Sequence, residues 1–152
     1  MTTVSIHDSS WPVIRADPDY HEIIREYASE SSITGMPAFN PDEKLYAQLE
    51  TLGILHAFTA RLGPFLVGFI GLLVTPNPHY GCLIGTIESY FVQAQHRKTG
   101  AGLELLVTAR KKAVELGAKG FMISAPHASN LGRVLERRSF THTNDVYFQS
   151  LS

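Results

Sequence analysis

The segment Arg97-Lys98-Thr99-Gly100-Ala101-Gly102 contains the residue types that bind phosphate groups. Its two glycines let the backbone approach a ligand closely, and the first turn of a following helix leaves several N–H groups without intrahelical partners. Arg97 and Lys98 add positive charge at the same place. The segment therefore predicts an anion site that suits a phosphate or pyrophosphate.

Two well-known phosphate-binding loops do not fit this segment. A Walker loop requires Gly-Lys-Ser/Thr after its glycines, whereas Gly102 is followed by Leu103-Glu104. A dinucleotide fingerprint requires a further glycine three residues on, and that residue is Leu105. From the loop alone, a second interpretation stays open, in which Gly100 and Gly102 only shape a tight turn between a strand and a helix.

The hydrophobic pattern predicts the elements that position this loop. Strands are expected at Trp11–Ala16, Ile54–Leu62, Phe65–Thr75, Cys82–Val92, Phe121–Ala125 and Val146–Leu151. Helices are expected at residues 18–30, 41–52, 103–116 and 131–135. The order β-α-α-β-β-β-α-β-α-β predicts one α+β domain over residues 1–152, in which a mixed, mostly antiparallel sheet carries helices on both faces.

Composition favours one soluble domain of ordinary size. The chain has 152 residues, of which 44% are hydrophobic and 18% charged, and a net charge of −1 that argues against a nucleic-acid partner. The apolar run Phe65–Val74 is too short to span a membrane. One cysteine and the lack of signal-peptide features in the first residues predict a cytoplasmic protein. The seven histidines show no spacing typical of a metal site.

Charge is distributed unevenly along the chain. Residues 1–94 carry four Lys/Arg against ten Asp/Glu, and residues 95–152 carry nine Lys/Arg against four Asp/Glu. This asymmetry suggests an anionic ligand near the C-terminal part and a cationic ligand near the acidic helices expected at 18–30 and 41–52. The alternative is that these charges only cover solvated faces.

The loop and its surroundings resemble the acyl-CoA-binding region of the GNAT superfamily of N-acetyltransferases. Arg97-x-x-Gly100-x-Gly102 follows a strand that ends Tyr90-Phe-Val92, and Leu135-Glu-Arg-Arg-Ser139-Phe140 lies where the family often has a Tyr-Glu-Lys-Leu-Gly-Phe-like stretch. The expected order of elements is similar as well. His79-Tyr80-Gly81 and Ser124-Ala-Pro126 further resemble compact members from phage and prophage genomes.

This resemblance implies an acyl-CoA-dependent N-acetyltransferase that moves an acetyl group directly from acetyl-CoA to a primary amine, without a metal. In the family, the CoA pyrophosphate binds the loop amides and the pantetheine arm pairs with the end of the preceding strand. For Asn130 a helix cap is the alternative, and for Arg133 a plain surface position. The implied CoA-binding residues are Phe91, Val92, Arg97, Lys98, Thr99, Gly100, Ala101, Gly102, Leu103, Asn130 and Arg133.

The resemblance also implies a base and an acid for attack of an amine on a thioester. Glu88 is the base candidate because it is the only acidic residue from Ile54 to Gln95, and an outward-facing strand position is its alternative. The family's usual acid is a tyrosine, whose place is taken here by Leu135. Tyr147 on the last expected strand is therefore the acid candidate, with Tyr90 as a further one.

Two functions stay open at this point. The first is acetyl transfer to an amine, and the second is a catalytically idle protein on the same scaffold that binds acyl-CoA or a protein partner, as Leu135 would favour. Members of the family are often homodimers. The run Phe65–Val74 fits either a dimer interface or a buried central strand.

Overall fold

Five strands form one mixed sheet in the computed structural model, which describes residues 3–151. The strands are β1 (Val4–Ser9), β2 (Leu55–Leu62), β3 (Phe65–Asn77), β4 (Cys82–Val92) and β5 (Gly120–Met122). They lie in the order β1-β2-β3-β4-β5. The first four pair antiparallel, and β4 pairs parallel with β5.

Helices cover both faces of the sheet. They are α1 (Trp11–Ala16), α2 (Tyr20–Ser31), α3 (Glu43–Thr51), α4 (Ala101–Glu115) and α5 (Asn130–Arg137). One hydrophobic cluster joins the sheet to α4 and α5, and a second joins it to α1 and α2, with α3 at its border. The predicted fold class is therefore confirmed. Between residues 3 and 151, no helix has the length and apolar character needed to cross a membrane.

The central strands follow the hydrophobic pattern closely. Gly63 and Pro64 form a two-residue turn, with Leu62 opposite Phe65. In β3, Leu66 to Leu72 are all buried, and this strand has neighbours on both sides. The run Phe65–Val74 is accordingly the buried central strand, the second of the two interpretations given above.

The prediction of a strand at Trp11–Ala16 is wrong. This segment is the helix α1, because Trp11 and Ile14 are buried three residues apart on one face and Pro12 lies in the first turn, where its missing N–H is tolerated. The first strand lies earlier, at Val4–Ser9, where half-buried Val4 and Ile6 alternate with exposed residues.

The predicted final strand at Val146–Leu151 is also wrong. The segment is irregular, and its Val146 and Tyr147 side chains are 79% and 89% exposed. A strand requires a neighbour that satisfies its backbone groups, and within residues 3–151 no strand pairs with this tail. The strand expected at Phe121–Ala125 is reduced to the three residues of β5.

Candidate active site

In the second half of β4, one of its two hydrogen-bonding edges has no neighbouring strand among the described residues. β5 pairs with β4 only at Ile84–Thr86, so no strand of the described chain flanks Ile87–Val92 on that side. On the opposite side, β3 stays paired up to Gly68 against Val92. We call the unpaired side of Ile87–Val92 the open edge. An extended ligand arm can add to such an edge through backbone hydrogen bonds.

The peptide groups of Tyr90 and Val92 face the open edge. Gln93 donates its N–H to the Val67 carbonyl at 2.9 Å, which makes these two a hydrogen-bonded pair across β3 and β4. Because such pairs alternate along antiparallel strands, the peptide groups of Phe91 also face β3. The prediction that the Phe91 backbone serves a ligand is therefore wrong, and Tyr90 takes that place beside Val92.

Helix α4 begins beside the open edge with a glycine in the left-handed conformation. Gly100 has a φ of 88° and provides no side chain to cap the helix. Ala101 donates its N–H to Thr99 Oγ1 at 3.3 Å. Among the described residues, the N–H groups of Gly100, Gly102 and Leu103 have no hydrogen-bond partner. Such free N–H groups at a helix start are suited to bind an anion.

Tyr90 joins β4 to the start of α4. Its hydroxyl donates to the Gly102 carbonyl at 2.5 Å, and a Cβ at residue 102 would lie 3.0 Å from that hydroxyl. Burial raises the pKa of Tyr90 to about 12, so the hydroxyl remains a donor at neutral pH. Gly102 is therefore needed for packing between strand and helix as well as for an accessible backbone.

Arg97 folds back onto the protein. Its Nε donates to the Val92 carbonyl at 2.8 Å, and its guanidinium forms an ion pair with Glu30 near the end of α2. The sequence predicts only that Arg97 adds charge beside the loop. In the structure this charge already has an acidic partner in Glu30. The Arg97 side chain also takes the hydrogen bond of the Val92 carbonyl, which lies on the open edge.

Three other predicted ligand-binding residues are exposed. Lys98 lies in the loop itself, whereas Asn130 and Arg133 lie on α5. The cap of α5 is Ser129, whose Oγ accepts from the Gly132 N–H at 3.3 Å, so the interpretation of Asn130 as a cap is wrong. No hydrogen bond or ion pair within residues 3–151 joins Asn130 or Arg133 to the loop.

A β-bulge determines where Glu88 lies. Gly71 pairs with Ser89 and Leu72 with Ile87, so Glu88 is an extra residue that has no partner on β3. A bulge bends its strand and changes the direction of nearby side chains. As a result, Glu88 and the following Ser89 line the same cavity, on the face of the sheet that carries α1 to α3.

The Glu88 carboxylate is held by groups from other elements. Tyr46 of α3 donates its hydroxyl to Glu88 Oε1 at 2.5 Å. Gly71 leaves space for the second oxygen, since a Cβ there would lie 2.9 Å from Oε2. Burial and this hydrogen bond raise the pKa of Tyr46 well above its usual value, and burial with the Glu88 charge raises the pKa of Tyr27. Both tyrosines are therefore neutral at physiological pH.

A cavity of about 570 Å³ lies above Glu88, and aromatic rings form much of its wall. Trp11 stacks on Tyr46 with ring centres 4.8 Å apart. Tyr27 meets Phe39 and Phe69 edge to face at 5.7 and 5.3 Å. We call this space the aromatic cavity. Sequence analysis predicted a cationic ligand near two of these helices but not the aromatic wall, because its rings come from α1, α2, α3, a loop and β3, with no common spacing.

The structure does not bring the acid candidate Tyr147 to Glu88. Tyr147 lies on the exposed tail and is not among the side chains that line the aromatic cavity. Leu135, which the resemblance aligns with a tyrosine, is buried to 7% exposure in the hydrophobic cluster with α4. The role of Tyr147 as an acid stays a prediction from the resemblance.

Most acidic residues of α1 to α3 and their flanks hold the fold together. The pairs are Asp17 with Arg61, Asp19 with the Leu66 N–H, Glu26 with the Ala94 N–H, Glu30 with Arg97, and Glu43 with Arg15. The carboxylates that line the aromatic cavity are Glu88 and Asp42. Within the described chain, no three His, Cys, Asp or Glu side chains are placed to hold a metal ion.

Comparison with known families identifies the class of protein. Residues 6–134 match the acetyltransferase (GNAT) family, and the chain therefore belongs to it. By family, the protein is an N-acetyltransferase. No match was found among curated proteins.

Solved structures of acetyltransferases share the fold over nearly the full chain. An aminoglycoside acetyltransferase from an uncultured soil metagenomic sample, in complex with trehalose, superposes with a TM-score of 0.73 at 15% identity, covering 98% of this chain and 97% of that one. A ribosomal-protein-alanine N-acetyltransferase from Brucella melitensis gives 0.70 at 21% identity and 97% coverage of both. AAC(6')-Iy with the bisubstrate analog CoA-S-monomethyl-acetylneamine gives 0.71 at 15% identity, also with 97% of both.

Proposed function

We propose that this protein transfers the acetyl group of acetyl-CoA to a primary amine bound in the aromatic cavity. One observation carries the proposal: the second half of β4 has an open edge beside free N–H groups, and its bulge directs Glu88 into a cavity. A donor and an acceptor can therefore approach the same strand from two sides. The bisubstrate analog bound to AAC(6')-Iy supports CoA as the donor for a related fold.

The chain has residues that suit each part of the donor. The free N–H groups of Gly100, Gly102 and Leu103 suit the pyrophosphate, with Lys98 as a nearby cation. The outward peptide groups of Tyr90 and the N–H of Val92 suit the amides of the pantetheine arm, whereas the Val92 carbonyl is already bonded to Arg97 Nε. Thr99 and Ala101 contribute by shaping the turn, and Asn130 and Arg133 remain candidates on α5.

Glu88 acts as the base in this proposal, and Tyr46 as a positioning residue. The amine nitrogen bonds to the acetyl carbon while the carbon–sulfur bond breaks, the sulfur retains the electron pair, and CoA leaves as the thiol. An ammonium group loses two protons, of which one passes through Glu88 to water and the other ends on the thiol. The hydroxyl of Tyr46 fixes one carboxylate oxygen, so the other remains available for the proton.

A second candidate function is acyl-CoA binding without catalysis. Its specific support is Leu135, a buried apolar residue where relatives often have a tyrosine acid. Such a protein would bind acetyl-CoA normally and release no CoA thiol with any amine. We also expect the protein to be a phage-type member of the family that is cytoplasmic, forms a homodimer and binds no nucleic acid. The proposed acetyl transfer does not depend on these expectations.

Thermal unfolding with acetyl-CoA, CoA or ATP tests the donor site. A ligand at about a hundred times its dissociation constant adds about 2.7 kcal/mol, which for a chain of this size raises Tm by roughly 5–10 °C. We expect this rise with acetyl-CoA and CoA in the wild type. We expect it to disappear in Gly100→Asp, where a carboxylate lies among the free N–H groups.

Gly117→Asp is the matched control for this experiment. Gly117 follows the other end of α4, has the same φ of 88° as Gly100, and likewise has no atom within 4 Å of an added Cβ. Both variants therefore carry similar backbone strain, and only the Gly100 variant should lose the response to acetyl-CoA. No rise in the wild type, or equal responses in both variants, would contradict the proposed donor site.

A further inference from the structure

The geometry of the aromatic cavity points to a class of acceptor. We propose that it binds a small primary amine with a flat apolar body, whose ammonium group faces Glu88 and whose body lies among the aromatic rings. This inference rests on the proposed acetyl transfer, because it assigns the substrate class of that same site.

The walls of the cavity are apolar and aromatic on several sides. Trp11 and Tyr46 form one stacked pair, and Tyr27 bridges Phe39 and Phe69 on the other side. Rings held in such pairs present flat surfaces that favour an aromatic or planar apolar group. A cation over a ring face gains further from the electron-rich π system. Ser31, Ser32, Asn40 and Ser89 also line the space and can pair with a few polar groups, so the rings favour a mostly apolar acceptor over a strongly polar one.

The charged side chains that line the cavity are both acidic and fit a cation. Glu88 is the carboxylate beside the open strand, and no lysine or arginine is among the residues that line the cavity. The other acidic residue, Asp42, is exposed at the start of α3, where one of its carboxylate oxygens accepts from the Leu45 N–H at 3.0 Å. Glu88 likewise has one oxygen engaged, by the Tyr46 hydroxyl, so a polyamine with three or more charges would leave at least one of them without a carboxylate partner among the lining residues.

Trp11 belongs to the same wall, and its indole N–H is unpartnered within residues 3–151. Among the described residues, its Nε1 is the single buried side-chain nitrogen or oxygen without a hydrogen-bond partner, although Trp11 is only 7% exposed. Buried donors without partners are rare in folded proteins and tend to occur at functional sites. Trp11 lines the aromatic cavity and stacks on the residue that holds Glu88.

The volume of the cavity and the segments packed beside it favour a small molecule as the acceptor. About 570 Å³ falls within the usual range of roughly 300–1,000 Å³ for small-molecule sites. Residues 31–42 line one side of the space, and the C-terminal tail packs on them, since a Cβ at Gly35 would lie 3.3 Å from Ser150 Cβ and 3.5 Å from the Phe148 ring. These segments narrow the space beside Glu88, which favours a small acceptor over a polypeptide.

An acceptor comparison tests the proposal. Release of CoA thiol from acetyl-CoA is measured with 2-phenylethylamine, with spermidine and with a lysine-containing peptide, each over a range of concentrations. We expect the highest kcat/KM for 2-phenylethylamine. We expect Phe39→Ala to raise its KM about tenfold by removing one ring of the wall. Phe65→Ala is the matched control, because Phe65 is an exposed phenylalanine of β3 that does not line the cavity.

The outcomes separate this inference from the proposed function. Preference for spermidine or for the peptide would overturn the acceptor class and leave acetyl transfer standing. Equal KM values for the Phe39 and Phe65 variants would overturn the location. A protein that shows the thermal response to acetyl-CoA but neither acetylates nor binds 2-phenylethylamine would likewise overturn only the inference. Absence of that thermal response would overturn the proposed function and the inference together.

Discussion

The two sides of β4 are built from different parts of the chain. On the open edge and at the adjoining start of α4, the groups offered to a ligand are peptide N–H and C=O groups, and the glycines at 100 and 102 leave those of the helix start uncovered. In the aromatic cavity, the groups offered are side chains from three helices, a loop and the sheet, gathered around Glu88. One side therefore depends on backbone conformation, and the other depends on which side chains meet.

This difference explains which changes each side should tolerate. A backbone site accepts substitutions of its side chains as long as the turn and the helix start keep their shape. A side-chain site loses its chemistry when one residue changes, even where the fold is intact. The predictions below separate the two sides, beginning with the largest expected effect.

Glu88→Gln should lower kcat by about 10²–10⁴-fold and leave the dissociation constant of acetyl-CoA unchanged. The amide keeps the size of the side chain but cannot accept a proton. Steady-state kinetics and equilibrium binding of acetyl-CoA measure the two effects. Glu115→Gln, an exposed change near the end of α4, is the control for net charge. Unchanged turnover in the Glu88 variant would remove Glu88 as the base.

Tyr90 should make the stability of the protein fall between about pH 10 and pH 12. Its pKa is about 12 in the folded protein and about 10 when unfolded, so the folded state retains a proton that the unfolded state loses. The stabilisation is complete below pH 10 and disappears as pH rises to 12, which corresponds to roughly 2–3 kcal/mol. Urea unfolding at several pH values should show a smaller decline for Tyr90→Phe, and an identical decline would refute this assignment.

Glu30→Gln should tighten the binding of CoA about fivefold, or about 1 kcal/mol. The glutamine holds Arg97 less strongly, so its charge becomes available to the pyrophosphate beside the free N–H groups. Titration calorimetry with CoA measures the change, and Glu22→Gln on the exposed part of the same helix controls for charge. Weaker binding instead would mean that the ion pair serves to hold the loop in place.

Ser139→Gly should stabilise the fold by about 0.5–1 kcal/mol. Ser139 has a φ of 68°, and the Phe140 N–H donates to the Leu135 carbonyl at 3.1 Å, which is the helix end that glycine favours. Gly117→Ser, the reverse change after α4, should destabilise by a similar amount. Urea unfolding of both variants measures the pair, and a loss of stability in Ser139→Gly would show that the serine side chain contributes a compensating contact.

The backbone side of β4 could be predicted from the sequence, and the reason is local. Gly100 and Gly102 are required by conformation and by close approach, so their spacing carries the information. The strands β2 to β4 were likewise predictable, since their apolar runs and the Gly63-Pro64 turn lie in one continuous stretch. The peptide direction at Phe91 was not predictable, because it depends on the register against β3.

The aromatic cavity could not be predicted in the same way, because it is formed by contacts between segments that lie far apart in the sequence. Glu88 was found because it interrupts an apolar stretch, but nothing in the sequence connects it to Tyr46, 42 residues earlier. Two elements were predicted wrongly for related reasons. Trp11–Ala16 is too short for its helical period to stand out, and Val146–Leu151 has the pattern of a strand but no neighbour in the sheet.

The extra residue in β4 affects how this sequence can change during evolution. Up to Ile87 the strand alternates its side chains in one phase, and after the bulge it alternates in the other. Loss of Glu88 would remove the bulge together with the carboxylate, and Ile87 and Ser89 would keep their partners Leu72 and Gly71 in an uninterrupted ladder. In evolutionary terms the bulge is therefore a separable insertion, whose loss changes one side chain of the site and the bend of the strand but not the facing of the residues around it.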